Sequence, residues 1–301
     1  MIVITAPTGN IGHQVLDHVL GKGEPVRVVV RDPARLPVHV RDQVEVVQGS
    51  HGDPDVIGRA LDGADALFWL LPTGRPAAGV EEAFVDFTRP AARAVREHGV
   101  GRVVSASALG RGTAWAEKAG FVTGSLAMDD LLASTGAAFR ALASVTYMDN
   151  VGRQASAIAE QGVFHDGLDP DLALPFVATR DIAGTAARLL LDGAWTGQEE
   201  VPLLGPEDLS SNDMAAVVSD VLGTPVRYQQ ISEEAFKGLF TGRGISEGMA
   251  QGMLDMLVAK SNGLDSGVAR TPQLSADTPT TFRQWCEDTL RPAVRAGRVA
   301  S

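Results

Sequence analysis

The sequence predicts an α/β fold, a doubly wound parallel sheet with helices on both faces. Three observations predict it. Apolar runs of strand length alternate with stretches of helical periodicity; the first run leads through a glycine-bearing turn into a helix; and 301 residues, 45% of them hydrophobic, suffice to bury a large core. The runs are "MIVITA", "VRVVV", "VEVVQG", "ALFWLL", "GRVVSAS" and "AAFRALA", each separated by enough chain for a helix.

Taken in order, the first helix starts near Asn10, since "NIGHQVLDHVLGKG" sets Ile11, Val15, Leu16 and Val19 on one face and stops at Gly21 and Gly23. The next long helix is "EAFVDFTRPAARAVREHGV". Pro90 should bend or divide it, having no N–H and crowding the carbonyl four residues back. A third spans "FVTGSLAMDDLLASTG". In "TRDIAGTAARLLLDG", Asp181 is expected to cap the helix that follows, as a short acceptor before the first turn. Arg180 beside it reads as a surface charge or a ligand contact. The Met-rich stretch at about 245–260 puts Met249, Met253, Leu254, Met256 and Leu257 at helical spacing, after Phe236, Leu239 and Phe240. It reads as an adaptable lid, a plain helical core or a homodimer face. "TPTTFRQWCEDTLRPAV" closes the chain as a helix, with Cys286 buried rather than reactive. "LPTGRPAAG" and "FHDGLDPDLALP" are loops beside a site.

Composition excludes several classes. The net charge is −11 and no basic stripe with interleaved aromatics occurs, so nucleic acid is not expected as a partner and any anion must be bound locally. The lone cysteine forms no intrachain disulfide, and no leader or long apolar run suggests export or a membrane span, so a cytoplasmic location is expected. The six histidines lack ligand spacing, and no metal is expected.

The opening turn "TAPTGNIG" resembles a phosphate-binding strand–turn–helix with one glycine missing. Gly9 allows close backbone approach and Gly12 close helix packing. Ala6 takes the first position, tolerable while its φ stays negative. Pro7 offers no N–H, so the phosphate donors fall to Thr8, Asn10 and Ile11. At the end of the second strand Arg31 stands where an acid would hold a ribose hydroxyl, with Arg35 one turn on. Guanidinium matches phosphate oxygens bidentately, which favours NADP(H) over NAD(H). In the competing reading Asp32 takes the ribose hydroxyls and Arg31 faces solvent.

"ITAPTGNIG", "VVVRDPARL", "GADALFWLLP", "GVGRVVSASALG", "TGAAFRAL", "TYMDN", "PFVATRDIAGTAARLLLDG" and "LLGPEDLSSNDMAAVVSDVLGTPVRY" stand in the order and spacing of the NmrA-like group of atypical short-chain dehydrogenases/reductases, which the chain resembles over residues 1 to 230. The resemblance implies a Rossmann-type domain over 1–150 plus about 176–195. It also implies a smaller α/β substrate or lid domain from an inserted segment, about 151–175, plus 196–301. It places Leu71, Pro72 and Thr73 near the nicotinamide half of the cofactor, Ser107 at the loop after the fifth strand, and Tyr147 and Asn150 at the mouth of the cleft.

Departures from the family pattern bear on function. After the third strand Ser50 stands where an acid next to adenine is expected, followed by His51. The Tyr and Lys four residues apart of the wider superfamily are missing; the family's alternative positions hold Ser125 and Asp129. Two hypotheses follow. One is an oxidoreductase passing hydride from NADPH to a small-molecule quinone, aromatic ketone or conjugated carbonyl, with Ser107, Tyr147, Asp129 or water as proton donor and Trp69, at the end of a strand, either lining the substrate pocket or, as aromatics there more often do, packing in the core. The other is a non-catalytic NADP(H)-binding regulator whose occupancy changes the shape shown to a partner.

Overall fold

The computed structural model describes residues 1–72 and 76–299, with side chains to residue 297. The six expected runs form β1 (Ile2–Thr5), β2 (Val26–Val30), β3 (Glu45–Gln48), β4 (Ala66–Trp69), β5 (Arg102–Ala108) and β6 (Ala138–Ser144). Six more follow: β7 (Thr146–Tyr147), β8 (Val163–Asp166), β9 (Leu174–Val177), β10 (Gln198–Leu203), β11 (Asp208–Leu209) and β12 (Arg227–Gln230). Seven of them make one parallel sheet in the order β10-β6-β5-β4-β1-β2-β3. The strand order reverses between β1 and β4, which opens a crevice at their carboxyl ends. The remainder pair as β11-β9-β7 and β12-β8.

The helices are α1 (Asn10–Leu20), α2 (Val38–Arg41), α3 (Pro54–Leu61), α4 (Phe87–His98), α5 (Phe121–Ala133), α6 (Asp149–Gly152) and α7 (Ala155–Gln161), then α8 (Thr179–Leu191), α9 (Ser211–Leu222), α10 (Glu233–Thr241), α11 (Glu247–Ser261), α12 (Pro272–Asp277), α13 (Phe282–Trp285) and α14 (Arg291–Val299). Strand residues alternate between faces. Ile2 and Ile4 pack with α1 and α8 on one side; Val3, Leu67 and Trp69 pack with α3, α4 and α5 on the other. A third core, around Met148, Phe176, Phe236 and Trp285, belongs to the rest of the chain. None of the helices among the described residues is long and apolar enough to cross a membrane.

Most boundaries follow the periodicity, and the exceptions have physical causes. Ile11, Val15, Leu16 and Val19 of α1 are buried as expected. The Pro90 helix carries a widened π turn over Glu82–Asp86, ending at the residue whose carbonyl Pro90 cannot serve. Asp181 does not cap α8. Ala178 stands at the cap, and Asp181, inside the first turn, accepts from the Thr280 N–H (2.9 Å) and hydroxyl (2.7 Å). β10 pairs with β6 as the outer strand of the main sheet, so 198–203 lies with the larger body and not with the smaller part. In the Met-rich stretch Leu257 is buried in the third cluster, with Met253 and Leu254 half-buried against it. Cys286 is buried, and burial pushes its thiol up to about 12.

Candidate functional site

A cavity of about 460 Å³ opens over the crevice between β1 and β4. Ala6, Pro7, Thr8, Gly9, Asn10 and Ile11 form its floor. Arg31, Asp32 and Arg35, following β2, line one part, while Leu70, Leu71, Pro72 and Tyr147 supply another. Asp149, Arg153 and Thr179 complete the lining from the β7 and α8 side.

The floor departs from expectation at one residue. Ala6 has φ 48°, in the left-handed region. The Gly9 N–H turns back onto the Ala6 carbonyl at 3.0 Å. Gly12 is required by close approach, since a Cβ there would stand 2.1 Å from that same carbonyl oxygen. α1 therefore begins hard against the turn. Gly9 caps it without a side-chain bond, so its first N–H groups point into the cavity unpaired within the helix. This backbone cradle fits a pyrophosphate.

At the β2 part, Arg31 and Arg35 are free of carboxylate partners among the described residues. Asp32 is engaged structurally: its carboxylate accepts from the Ala34 N–H at 3.0 Å and caps the short turn Pro33–Arg35. Ser50 is not in the lining. Its hydroxyl accepts from the Gly52 N–H at 3.3 Å within its own turn, and Gly49 and His51 line the cavity instead. His51 is held edge-on to Trp69 and Phe87.

Trp69 is fully buried, and its indole N–H donates to the Thr88 hydroxyl at 3.2 Å. Strand alternation turns it to the α4 face, so it belongs to the core and does not line the cavity. Leu71 and Pro72 do line it; Thr73 lies outside the described residues. Tyr147 is a lining residue whereas Asn150 is not. Burial raises the Tyr147 phenol above its ordinary value, so it is protonated at neutral pH. The other tyrosine, Tyr228, is distant in the fold and donates to the Asp166 and Leu168 carbonyls.

Ser107 and Asp129 meet in a buried cluster. Asp129 accepts from the Ser105 hydroxyl at 2.9 Å and from the Ser107 hydroxyl, and Ser107 lies 3.2 Å from the Ser125 hydroxyl. Burial pushes the Asp129 carboxyl up to about 7, against the lowering effect of both serines. Neither Ser107 nor Asp129 lines the cavity.

Sequence reasoning missed Asp149, Arg153 and Thr179. Asp149 accepts from Asn10 Nδ2 at 2.9 Å and from the Thr179 N–H at 3.2 Å, tying the starts of α1 and α8 together. The available signal was a helix at Thr179 with no capping side chain directly before it, which calls for an acceptor from elsewhere. Arg180, the next residue, pairs with Asp288 at 2.9 Å.

Residues 7–164 match the NAD(P)H-binding family. Over 95% of its length the chain is 29% identical to (4-alkanoyl-5-oxo-2,5-dihydrofuran-3-yl)methyl phosphate reductase of Streptomyces griseus, covering 96% of that protein. It is 26% identical to NAD(P)H azoreductase of Xenophilus azovorans, over 95% of this chain and 97% of that protein. Its fold is similar to that of the NADPH-dependent quinone oxidoreductase of Escherichia coli complexed with NADPH, with a TM-score of 0.77 and 25% identity over 94% of this chain and 98% of that one.

Proposed function

This chain belongs to the NAD(P)H-binding family, and from that premise we propose that it is an NADPH-dependent reductase whose acceptor is a quinone, an aromatic ketone or a conjugated carbonyl. The observation that carries the reading is a cavity with two guanidinia, Arg31 and Arg35, that have no carboxylate partner among the described residues, in one part and the apolar Leu70, Leu71 and Pro72 beside Tyr147 in another. The similar reductases named for azo and quinone substrates support this acceptor class.

NADPH supplies the hydride when bound. Arg31 and Arg35 would hold the 2′-phosphate through charge-assisted bonds, and the N–H groups of Asn10 and Ile11 would serve the pyrophosphate. Leu71 and Pro72 give the reacting end a wall without polar side chains. Tyr147 donates the proton that the acceptor oxygen gains, as the phenol on the cavity wall. Ser107 and Asp129 form a buried hydrogen-bonded pair away from the cavity lining and take no step in this reading.

NADPH oxidation, followed by the loss of nicotinamide absorbance with a panel of quinones, aryl ketones and enones, tests the reading. Turnover is expected, with Tyr147→Phe slowing ketones more than quinones, because water can protonate a hydroquinone dianion. Tight NADPH binding without turnover on any acceptor would leave the chain a nucleotide-binding regulator.

A further inference from the structure

Arg153 is the third arginine of the cavity, and the hydride-transfer reading leaves it without a role. It follows α6, which is anchored by Met148 and Val151 in the third core, and its exposed side chain lines the cavity without a carboxylate partner among the described residues. The nearest acid in sequence does not satisfy it. Asp149 already accepts from Asn10 Nδ2 and the Thr179 N–H, so its charge is matched by the starts of α1 and α8.

Apart from the free N–H groups at the start of α1, the floor beneath offers few donors. Pro7 has no N–H, and the Gly9 N–H is turned back to Ala6. Arg31 and Arg35 extend from β2, whereas Arg153 comes from the chain leaving β6 and β7. In the sheet order β1 and its turn stand between those two sides. Asp149, four residues before Arg153, bonds Asn10 at the start of α1, so Arg153 lines the cavity beside that turn and on the other side of β1 from Arg31 and Arg35.

We infer that Arg153 binds the pyrophosphate of the nicotinamide cofactor, a clamp from the smaller body that supplies the donors this turn lacks. The inference rests on the reading of the cavity as a dinucleotide site. It makes cofactor binding bridge the sheet and the smaller body.

Equilibrium titration of the full chain with NADPH and with NADH, in the parent protein and in Arg153→Ala, Arg153→Lys and Arg31→Ala, tests it by binding alone. Arg153→Ala should weaken both nucleotides about equally, by roughly tenfold to a hundredfold as for loss of a charge-assisted bond. Arg153→Lys should recover part of that loss, and Arg31→Ala should weaken NADPH alone. A loss confined to NADPH would place Arg153 at the 2′-phosphate and overturn the inference. So would unchanged binding of both nucleotides. A parent protein that bound neither nucleotide would remove the dinucleotide reading itself along with the clamp.

Discussion

Ala6 adopts a backbone conformation that costs an L-residue about 1–2 kcal/mol. Glycine there would relieve the strain but gain chain entropy when unfolded, at a cost of about 0.4–1 kcal/mol. Ala6→Gly should therefore stabilise the protein by about 0.5–1 kcal/mol, read from the urea midpoint; a loss of stability would show that Ala6 is not strained. Asp129 makes a pH-dependent prediction. Its folded-state pKa, about 7, lies above the ~3.9 of an unfolded aspartate. Between those values the unfolded chain releases a proton that the native chain keeps, so stability falls as pH rises from about 4 to 7, by up to about 4 kcal/mol. Asp129→Asn removes this pH dependence. The variant should gain on the parent as pH rises from 5 to 8 in urea titrations, and a gap that does not change with pH would refute the assignment. Residue facing was the least legible feature of the sequence. Arg31 and Arg35 line the cavity because they follow the end of β2, whereas the core side of Trp69 and the absence of Ser50 from the lining turn on one step along a strand or turn, which reverses the direction of a side chain.

At the scale of elements, strands and amphipathic helices were legible because their periods are local. What depended on distant partners was not. The start of α8 is satisfied by Asp149 from α6, and Asp181 is engaged by Thr280. The seating of α11 is another such case. Ser246 caps it and donates to the Ala77 carbonyl at 2.6 Å, while a Cβ on Gly248 would stand 2.2 Å from the Ala78 carbonyl oxygen. Because those neighbours are backbone, they cannot move aside as a side-chain tip would. Gly248→Val should lift α11 from the segment after β4 and speed amide exchange across 247–261, leaving β1 to β6 protected. Unchanged exchange in α11 would show that the seat tolerates bulk.

For the molecule as a whole, the order of motifs was more informative than any one of them. The NmrA-like resemblance agrees with membership of the NAD(P)H-binding family, and the expected doubly wound sheet is present. The return of residues 198–203 to that sheet was not legible, because "QEEVPL" alternates too weakly to reveal a partner. A cofactor that bridges both bodies should stabilise them together. NADPH at about a hundred times its dissociation constant should add about 2.7 kcal/mol and raise a single melting transition by about 4 °C. Two transitions, with only one moving, would show that the bodies melt apart. The late strand also bears on synthesis. β6 is complete at Ser144, but its outer edge is covered only when β10 arrives, after the chain has built α6 to α8. A ribosome adding about 5–20 residues per second exposes that unpaired edge for roughly 3–12 seconds, an interval in which a chaperone or a neighbouring nascent chain has its best access to the sheet.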